Sequence, residues 1–336
     1  MYRGIFDSAR RPRIHTRQLS RGLELTEIGI GTSPFGNLFR EVSDEDTKLA
    51  IDEAWARGVR YFDTAPHYGI GLAERRLGAA LRERPRGEYV ISTKVGRLLV
   101  PSPETAGQQD EHGFVTPATH RRTWDFSRDG ILRSIEGSLE RLGLDSVDIV
   151  YLHDPDDHWD EASTTGVDTL IELREQGVIR AIGAGMNQAA MLTEFVRQCD
   201  VDVIMLAGRY TLLDQSAVDD LLPLAAERGV AIVNVGVYNS GLLGSAVPNK
   251  DSHFNYGAVP AEIHARAVAI AEVCQRHGIT LPDAAVQFSF RQPAVVSVVL
   301  GTRTALQVDE GIDRATVEIP EAFWDELKAS GLVRMP

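Results

Sequence analysis

Short runs of apolar, largely β-branched residues alternate along the chain with longer segments in which apolar residues recur at helical spacing. A turn-forming cluster of Gly, Pro, Asp or Ser commonly follows a short run, which is typical of a buried strand. The longer segments keep their apolar residues on one face, as helices packed on a sheet do. The predicted strands cover residues 27–31, a run that begins at 59, and residues 89–94, 147–153, 178–183, 201–206, 230–235 and 295–300.

Helical segments separate these strands and connect each one to the next. Eight strands alternating with helices predict an α/β fold, a (β/α)8 TIM barrel with right-handed crossovers. Residues 17–26 alternate around Ser20-Arg21-Gly22, which predicts an N-terminal β-hairpin across the bottom of the barrel. The predicted helices are a segment capped by Ser43 and ended by Gly58, and residues 71–84, 127–143, 163–176, 188–198, 215–228, 260–277, 282–290 and 320–330.

Two connections are too long for ordinary links between elements. They are residues 95–126 after the third strand and residues 236–259 after the seventh. A long connection over the open face of a barrel forms a lid or a substrate wall in many proteins, or it is disordered. For residues 95–126 the sequence leaves both interpretations open.

Composition and charge narrow the class of protein. A chain of 336 residues with 25% charged residues is long enough for one large core, so residues 17–336 are predicted to form a single barrel domain behind a tail at 1–16. The net charge of -13 argues against a nucleic-acid partner. We find no apolar run long enough to cross a membrane and no apolar secretion signal near the N-terminus. With only Cys199 and Cys274, the chain is expected to hold reduced thiols in the cytoplasm.

Four ionisable residues lie at or just past the ends of predicted strands: Asp63, Tyr68, Lys94 and His153. The carboxyl ends of barrel strands are where catalytic side chains collect. A tyrosine is a weak acid, with an ordinary pKa of about 10, but a neighbouring ammonium stabilises the phenolate. Lys94 is the candidate for that ammonium, and Asp63 is the candidate for its counter-ion. The sequence therefore predicts a catalytic acid–base site built on Tyr68.

In this order the four residues resemble the catalytic tetrad of the aldo-keto reductases. The resemblance rests on the segments 62–69, 91–96 and 151–153 and extends from about residue 19 to residue 331. It implies hydride exchange with a nicotinamide cofactor, with Tyr68 moving the proton and His153 orienting the substrate oxygen. Segments 208–215 and 238–243 are most similar to the aldose 1-dehydrogenase branch, the D-threo-aldose or L-fucose dehydrogenases.

That branch implies oxidation of an aldose of the L-fucose, D-arabinose or L-galactose type at C1 to the lactone. A pyridoxal 4-dehydrogenase or a general aldehyde reductase is the alternative among enzymes. A nicotinamide-binding regulatory subunit that kept the barrel is the alternative outside enzymes, and the intact tetrad favours an enzyme. The small-molecule substrate and the oligomeric state are not determined further by the sequence.

The resemblance also implies which residues contact the cofactor. Met186 stands where relatives have a serine, and Ala207 stands where they have a glutamine. Residues 301, 302 and 307 carry no cation where NADP-preferring relatives have charged partners for the 2′-phosphate, so NAD is expected, with NADP as the alternative. The expected cofactor contacts are Gly31, Thr32, Asp63, Met186, Asn187, Tyr238, Asn239, Ser240, Gly241, Leu242, Gly301, Thr302, Arg303, Gln307 and Glu310.

The expected substrate wall combines hydrogen-bonding side chains with an apolar face, as a polyol requires. Its candidate residues are Phe35, His67, Trp124 and Asn239. Pyridoxal makes similar demands, so this inventory does not separate the two substrates.

The segment 153–158, His-Asp-Pro-Asp-Asp-His, offers an alternative chemistry because carboxylates and imidazoles bind metals. However, the first predicted strand has no His-x-His motif, and Asp-Pro-Asp-Asp is common in turns. We therefore expect no metal in the site.

Overall fold

The computed structural model describes residues 14–255 and 257–334, and its centre is a closed barrel of eight parallel strands. Neighbouring strands in the barrel follow the order of the chain, and the last strand closes on the first through the pair Val298 and Ile28. The predicted (β/α)8 barrel is confirmed. The strands are β1 (Ile28–Gly31), β2 (Tyr61–Asp63), β3 (Val90–Val95), β4 (Ile149–His153), β5 (Ala181–Met186), β6 (Val203–Ala207), β7 (Ala231–Val235) and β8 (Val295–Gly301).

Helices pack around the outside of this barrel and form the outer part of the main hydrophobic core. The predicted helices are present with shifted ends, but the helix that follows β8 was not predicted from the sequence. The longer helices are α1 (Asp44–Ala56), α2 (Leu72–Leu81), α3 (Arg128–Leu142), α4 (Val167–Glu175), α5 (Ala189–Gln198), α6 (Leu221–Arg228), α7 (Ala261–Arg276), α8 (Leu281–Ser289), α9 (Ala305–Thr316) and α10 (Glu321–Ala329).

Strand β5 lies three residues further along the chain than its sequence indicated. The sequence predicted this strand at residues 178–183, so that it ended at Gly183. In the structure Gly183 lies within β5, where a Cβ atom would come within 1.6 Å of the carbonyl oxygen of Val203. The glycine is therefore required by the close approach of β6, and Met186 is the last strand residue.

The N-terminal hairpin closes the bottom of the barrel, as predicted. Its strands, Thr16–Gln18 and Glu24–Thr26, pair in antiparallel fashion. Leu19, Leu23 and Leu25 are buried in a cluster with side chains that fill the lower barrel interior. Most of the predicted tail lies outside the described residues, and Thr16 already belongs to the hairpin.

The first long connection is an ordered wall, so the disorder alternative does not hold for it. Arg97–Pro101 pairs with His120–Trp124 as an antiparallel hairpin, which the sequence did not predict. A bridge between Leu38 and Phe114 attaches this connection to the loop after β1. The second long connection holds a small hairpin, His253–Phe254 with Gly257–Ala258.

The sequence predicted no membrane-spanning segment and two reduced cysteine thiols. No helix in the described ranges is both long and apolar enough to cross a membrane. Cys199 and Cys274 are both unpaired, the first half-buried and the second buried. Burial raises the pKa of the Cys199 thiol to about 11, which makes it a poor nucleophile. A cytoplasmic location remains a prediction.

Candidate active site

An open cleft of about 860 Å³ lies at the carboxyl ends of the barrel strands. This is the face on which barrel enzymes carry their chemistry, because the loops after the strands converge there. Each of the eight strand-to-helix connections contributes to its wall, for example through Ser33, His67, Arg97, Asp154, Asn187, Gly208, Tyr238 and Thr302.

An ion pair between Asp63 and Lys94 forms the floor of the cleft. The two residues lie on the neighbouring strands β2 and β3, with Lys94 Nζ 2.6 Å from Asp63 Oδ2. Lys94 Nζ also donates to the carbonyl oxygen of Thr64 at 2.9 Å. The second carboxylate oxygen accepts from Ser92 Oγ at 2.7 Å. Both oxygens of Asp63 therefore have donors, which fixes the carboxylate and the ammonium in place.

Lys94 lies beside Tyr68, whose phenol faces the cleft. The ammonium is 4.8 Å from the centroid of the Tyr68 ring, and the two side chains share a hydrogen bond. Burial opposes the Lys94 ammonium, but Asp63 and then Tyr68 outweigh it, so the pKa of Lys94 is raised. Burial raises the pKa of Asp63 while Lys94 and Ser92 act against it, and the donors on both oxygens favour the carboxylate. A cation is thus held next to a phenol.

Two neutral imidazoles flank Tyr68. The ring centroids of His67 and His153 lie 6.1 and 6.0 Å from that of Tyr68, and 5.5 Å from each other. Burial, and then the charge of Arg97, lowers the pKa of both histidines well below the ordinary value. Each ring therefore has one donor and one acceptor nitrogen at neutral pH.

Arg97, which the sequence did not single out, extends this side of the cleft. Its guanidinium forms an ion pair with Asp154 and lies 4.6 Å from the centroid of the Trp124 ring. One terminal nitrogen is 3.3 Å from His67 Nε2. The signal that could have found it is its position, since Arg97 is the first charged residue after Lys94 at the end of β3.

The loop after β7 forms the opposite side of the cleft. Asn239, Ser240 and Gly241 have consecutive φ angles of 45°, 57° and 101°, a left-handed conformation that is uncommon outside glycine. The backbone N–H groups of Asn239 and Gly241 donate to the carbonyl oxygens of Gly236 and Tyr238, which holds the loop in this conformation. The Asn239 side chain is buried, and neither of its polar atoms has a hydrogen-bond partner among the described residues. A buried amide without a partner in a cleft wall fits the polar groups of the expected nicotinamide cofactor.

Helix α9 closes the far end of the cleft. Gln307, Glu310 and Arg314 follow one another at helical spacing, so all three line the cleft from one helix face. Arg314 donates to the phenol oxygen of Tyr238 at 3.1 Å and to Glu310 Oε2 at 3.1 Å. Arg314 was missed because the helix was missed. The cap of Thr304 on Gln307 and the buried positions 308, 311 and 312 are the signals that could have revealed it.

Most of the residues expected from the sequence line this cleft, although some side chains lie elsewhere. Phe35 is fully buried in the core, because Pro34 occupies the wall of the cleft in its place. Trp124 is 40% exposed and lies behind Arg97. The expected residues found in the wall are Gly31, Asp63, His67, Tyr68, Lys94, His153, Met186, Asn187, Tyr238, Asn239, Ser240, Gly241, Gly301, Thr302, Arg303, Gln307 and Glu310.

Thr32 and Leu242, two expected cofactor contacts, are fully buried behind the wall. Leu242 packs in the main core, and the hydroxyl of Thr32 has no partner among the described residues. Four expected residues therefore lie outside the lining of the cleft and support its wall from behind: Phe35, Trp124, Thr32 and Leu242.

No group of three or more His, Cys, Asp or Glu side chains that could hold a metal ion occurs within residues 14–255 and 257–334. Asp154 of the candidate metal segment instead forms the ion pair with Arg97. The expectation of a metal-independent site remains a prediction.

Comparison with known proteins gives consistent results. A model of the Aldo/keto reductase family matches residues 27–331. A D-threo-aldose 1-dehydrogenase of Pseudomonas sp. is 45% identical over 318 residues, which cover 94% of this chain and 97% of that relative. A pyridoxal 4-dehydrogenase of Microbacterium luteolum is 38% identical over 337 residues, with the same coverage of 94% and 97%.

Solved structures show the same fold at lower identity. An aldo-keto reductase from Bacillus halodurans in its holo form matches with a TM-score of 0.74 at 24% identity, covering 96% of this chain and 97% of the other. A glycerol dehydrogenase from Gluconobacter oxydans matches with a TM-score of 0.74 at 23% identity and the same coverage. At these identities the two structures support the barrel fold alone.

Proposed function

We propose that this chain, which belongs to the aldo/keto reductase family, oxidises an aldose at C1 to the lactone. The protein is an oxidoreductase, and aldo/keto reductases use nicotinamide cofactors. The observation that carries the proposal is the contact of Lys94 with both Asp63 and Tyr68 at the floor of the cleft. The 45% identity to a D-threo-aldose 1-dehydrogenase supports the choice of an aldose.

In the proposed reaction Tyr68 moves the proton. As a phenolate it accepts the proton of the anomeric hydroxyl, and the Lys94 ammonium stabilises this form by charge attraction. Asp63 keeps Lys94 charged within a buried site. His153, as a neutral imidazole, donates a hydrogen bond to the same substrate oxygen and orients it.

The nicotinamide, when bound, supplies the acceptor for the hydride that C1 loses. We assign its recognition to the side of the cleft across from His67. Asn187 and the buried amide of Asn239 would hold its polar groups, and Ser240, which lines the same wall, would contact its anionic oxygens. Met186 and Ala207, which replace a serine and a glutamine expected from the family, line the same wall with side chains that make no comparable hydrogen bonds.

The cofactor is proposed to be NAD. Arg303 already donates to the carbonyl oxygen of Leu38 at 3.0 Å, and Arg314 is engaged by Tyr238 and Glu310. The Glu310 carboxylate in the cleft wall would repel a 2′-phosphate, whereas it could accept a hydrogen bond from a ribose hydroxyl. A cofactor without the phosphate therefore suits this end of the cleft better.

A panel of aldoses, pyridoxal and simple aldehydes, assayed with NAD and NADP by absorbance of the reduced cofactor, tests the function. We expect the highest kcat/KM with an aldose and NAD. A pyridoxal 4-dehydrogenase is the second candidate, because a relative with that activity is 38% identical over nearly the whole chain. A clear preference for pyridoxal would replace the aldose proposal. Tight cofactor binding without turnover of any substrate would refute both.

Tyr68→Phe tests the role of the phenol. The variant removes one oxygen atom, and we expect kcat to fall by at least about 100-fold, the lower range for loss of a general acid–base group. Cofactor affinity, measured by fluorescence titration, should stay unchanged. Tyr89→Phe is the matched control, because its buried hydroxyl lies outside the cleft lining. Ordinary turnover by Tyr68→Phe would contradict the mechanism.

Glu310→Gln tests the cofactor assignment. The change keeps the size of the side chain and removes its negative charge, so the ratio of kcat/KM for NAD over NADP should fall about tenfold, as expected for a charge contact worth about 1.4 kcal/mol. The proposal fails if the wild-type enzyme prefers NADP strongly, or if the variant leaves the ratio unchanged.

A further inference from the structure

The ion pair of Arg97 and Asp154 lies in the cleft wall and has no place in the proton and hydride transfer described above. Both side chains line the cleft, yet 84% of the Arg97 side chain is buried, since its exposed fraction is 16%. Its Nε is buried without a hydrogen-bond partner among the described residues. A buried, costly ion pair on the wall of a binding cleft requires an explanation beyond stability.

The surroundings of the pair fix its position. The Arg97 guanidinium stacks on Trp124 at 4.6 Å from the ring centroid, which restricts its plane. Asp154 has a φ of 42° directly before Pro155, a conformation that a residue other than glycine adopts at an energetic cost. The backbone N–H of Asp154 donates to the carbonyl oxygen of Gly185 at 3.0 Å, which holds the residue in this position.

The pair also lies next to the reacting groups. Arg97 approaches His67 to 3.3 Å, and Asp154 Oδ2 lies 3.7 Å from His153 Nε2. The rings of both histidines contact Tyr68. A substrate whose reacting carbon lies at Tyr68 and His153 would therefore extend toward the ion pair.

We propose that Arg97 and Asp154 are the specificity-determining pair that recognises two hydroxyls of the sugar, Arg97 donating to one and Asp154 accepting from the other. This inference rests on the proposed aldose 1-dehydrogenase function and deepens it. The pair carries no net charge, so it suits a neutral polyol. An aldehyde without hydroxyls would leave both groups without a ligand.

Arg97→Met tests the pair, because methionine keeps an apolar stem and lacks the donors. We expect kcat/KM for the best aldose to fall about 10- to 100-fold, as for loss of a charge-assisted hydrogen bond. The loss should come mainly from KM, since hydroxyls remote from C1 bind the ground and transition states alike. Reduction of propanal, which has no hydroxyl, should change by less than about threefold.

Deoxy sugars extend this test to a double-mutant cycle, in which one change is made in the protein and the other in the substrate. Each analogue of the best aldose lacks one hydroxyl, and the wild-type enzyme should lose activity with the analogue that lacks a recognised one. Arg97→Met should show no further loss with that analogue, because the donor is already absent. Asp154→Asn should likewise become insensitive to one adjacent hydroxyl, and Arg97→Lys should restore part of the lost activity through its charge.

Arg121→Met is the matched control, since Arg121 lies on the same hairpin, is exposed and pairs only at 3.8 Å with Glu104. It should leave all substrates unaffected. The proposal fails if Arg97→Met loses kcat/KM for propanal as strongly as for the aldose. It also fails if removal of a sugar hydroxyl lowers kcat/KM equally in the wild type and in Arg97→Met. If the wild-type enzyme oxidises no aldose, the proposed function fails and this inference falls with it. An active wild type with an unaffected Arg97→Met overturns the inference alone.

Discussion

The position of Tyr68 depends on two glycines that allow two loops to touch. Gly36, after β1, and Gly69, after β2, face each other across the loop that carries Tyr68. A Cβ atom on Gly36 would lie 2.6 Å from the backbone carbon of Tyr68, and one on Gly69 would lie 2.3 Å from the carbonyl oxygen of Gly36. These contacts are with backbone, so an added methyl group would displace the loop itself.

Gly36→Ala should therefore damage catalysis more than folding. Displacement of the reacting phenol by about 1 Å can cost about 100-fold in rate, so we expect kcat to fall about 10- to 100-fold while cofactor affinity is kept. Gly87→Ala is the control, because a Cβ there would meet no atom within 4 Å. Equal kcat values for the two variants would show that the loop absorbs the methyl group without moving Tyr68.

At the residue scale, sequence alone predicted the groups whose chemistry is recognisable at a strand end. Asp63, Lys94 and His153 fall on strands, where the pleat and the strand ends set their direction. Arg97 and Arg314 were not predicted, because an arginine on a hairpin or on a surface helix has no distinctive pattern. Phe35, a candidate for the substrate wall, is fully buried, because sequence alone does not say which face of a loop a side chain takes.

The same limit applies to whole elements. Helix α9 was overlooked because its segment was interpreted through the cofactor residues it was expected to supply, although Thr304 caps it and Val308 and Ile312 are buried on one face. The hairpin at 97–124 was overlooked because neither of its strands alternates apolar and polar residues: Arg97–Pro101 carries three consecutive apolar residues, and His120–Trp124 is mostly polar and half-exposed. The other helices that bury an apolar face were predicted, with shifted ends.

The N-terminal hairpin offers a prediction about stability that is separate from catalysis. Leu25 is completely buried beneath the barrel, at the opposite end from the cleft. Leu25→Ala should lower the free energy of unfolding by about 2–5 kcal/mol, the range for a large-to-small change in a core. Urea unfolding followed by fluorescence measures this effect, and kcat of the folded enzyme should stay unchanged.

Leu49→Ala is the matched control, because Leu49 is 49% exposed on α1. It should change stability by less than about 0.5 kcal/mol. A small effect of Leu25→Ala would mean that the hairpin contributes little to closing the barrel. A loss of kcat together with stability would mean that the bottom of the barrel is coupled to the cleft.

At the scale of the whole molecule, the barrel separates stability from chemistry. Its lower interior is filled by apolar side chains from the strands and the hairpin. Its upper end instead buries charged pairs and neutral histidines. Desolvation of these polar groups costs free energy that the rest of the fold must offset, so the stability of the entire chain should depend on the protonation of its active site.

The two buried histidines contribute to that dependence with one sign, and the raised pKa values of Asp63 and Asp154 contribute with the opposite sign. In the unfolded chain His67 and His153 titrate near the ordinary value of 6.5, whereas burial lowers the pKa of both in the folded protein. Below about pH 6.5 these two sites therefore bind more protons in the unfolded chain than in the folded one, and their contribution to the free energy of unfolding falls as pH falls. Each histidine contributes a slope of up to about 1.4 kcal/mol per pH unit in this window.

Urea unfolding at steps from about pH 7.5 to about pH 5.5 measures this slope, since the window spans the titration of unfolded histidine. His67→Gln should reduce the slope by the contribution of one imidazole, because glutamine does not titrate. Contributions from Asp63 and Asp154 are common to the wild type and the variant and cancel in the comparison. If His67→Gln keeps the wild-type slope, burial does not hold His67 neutral in the folded protein.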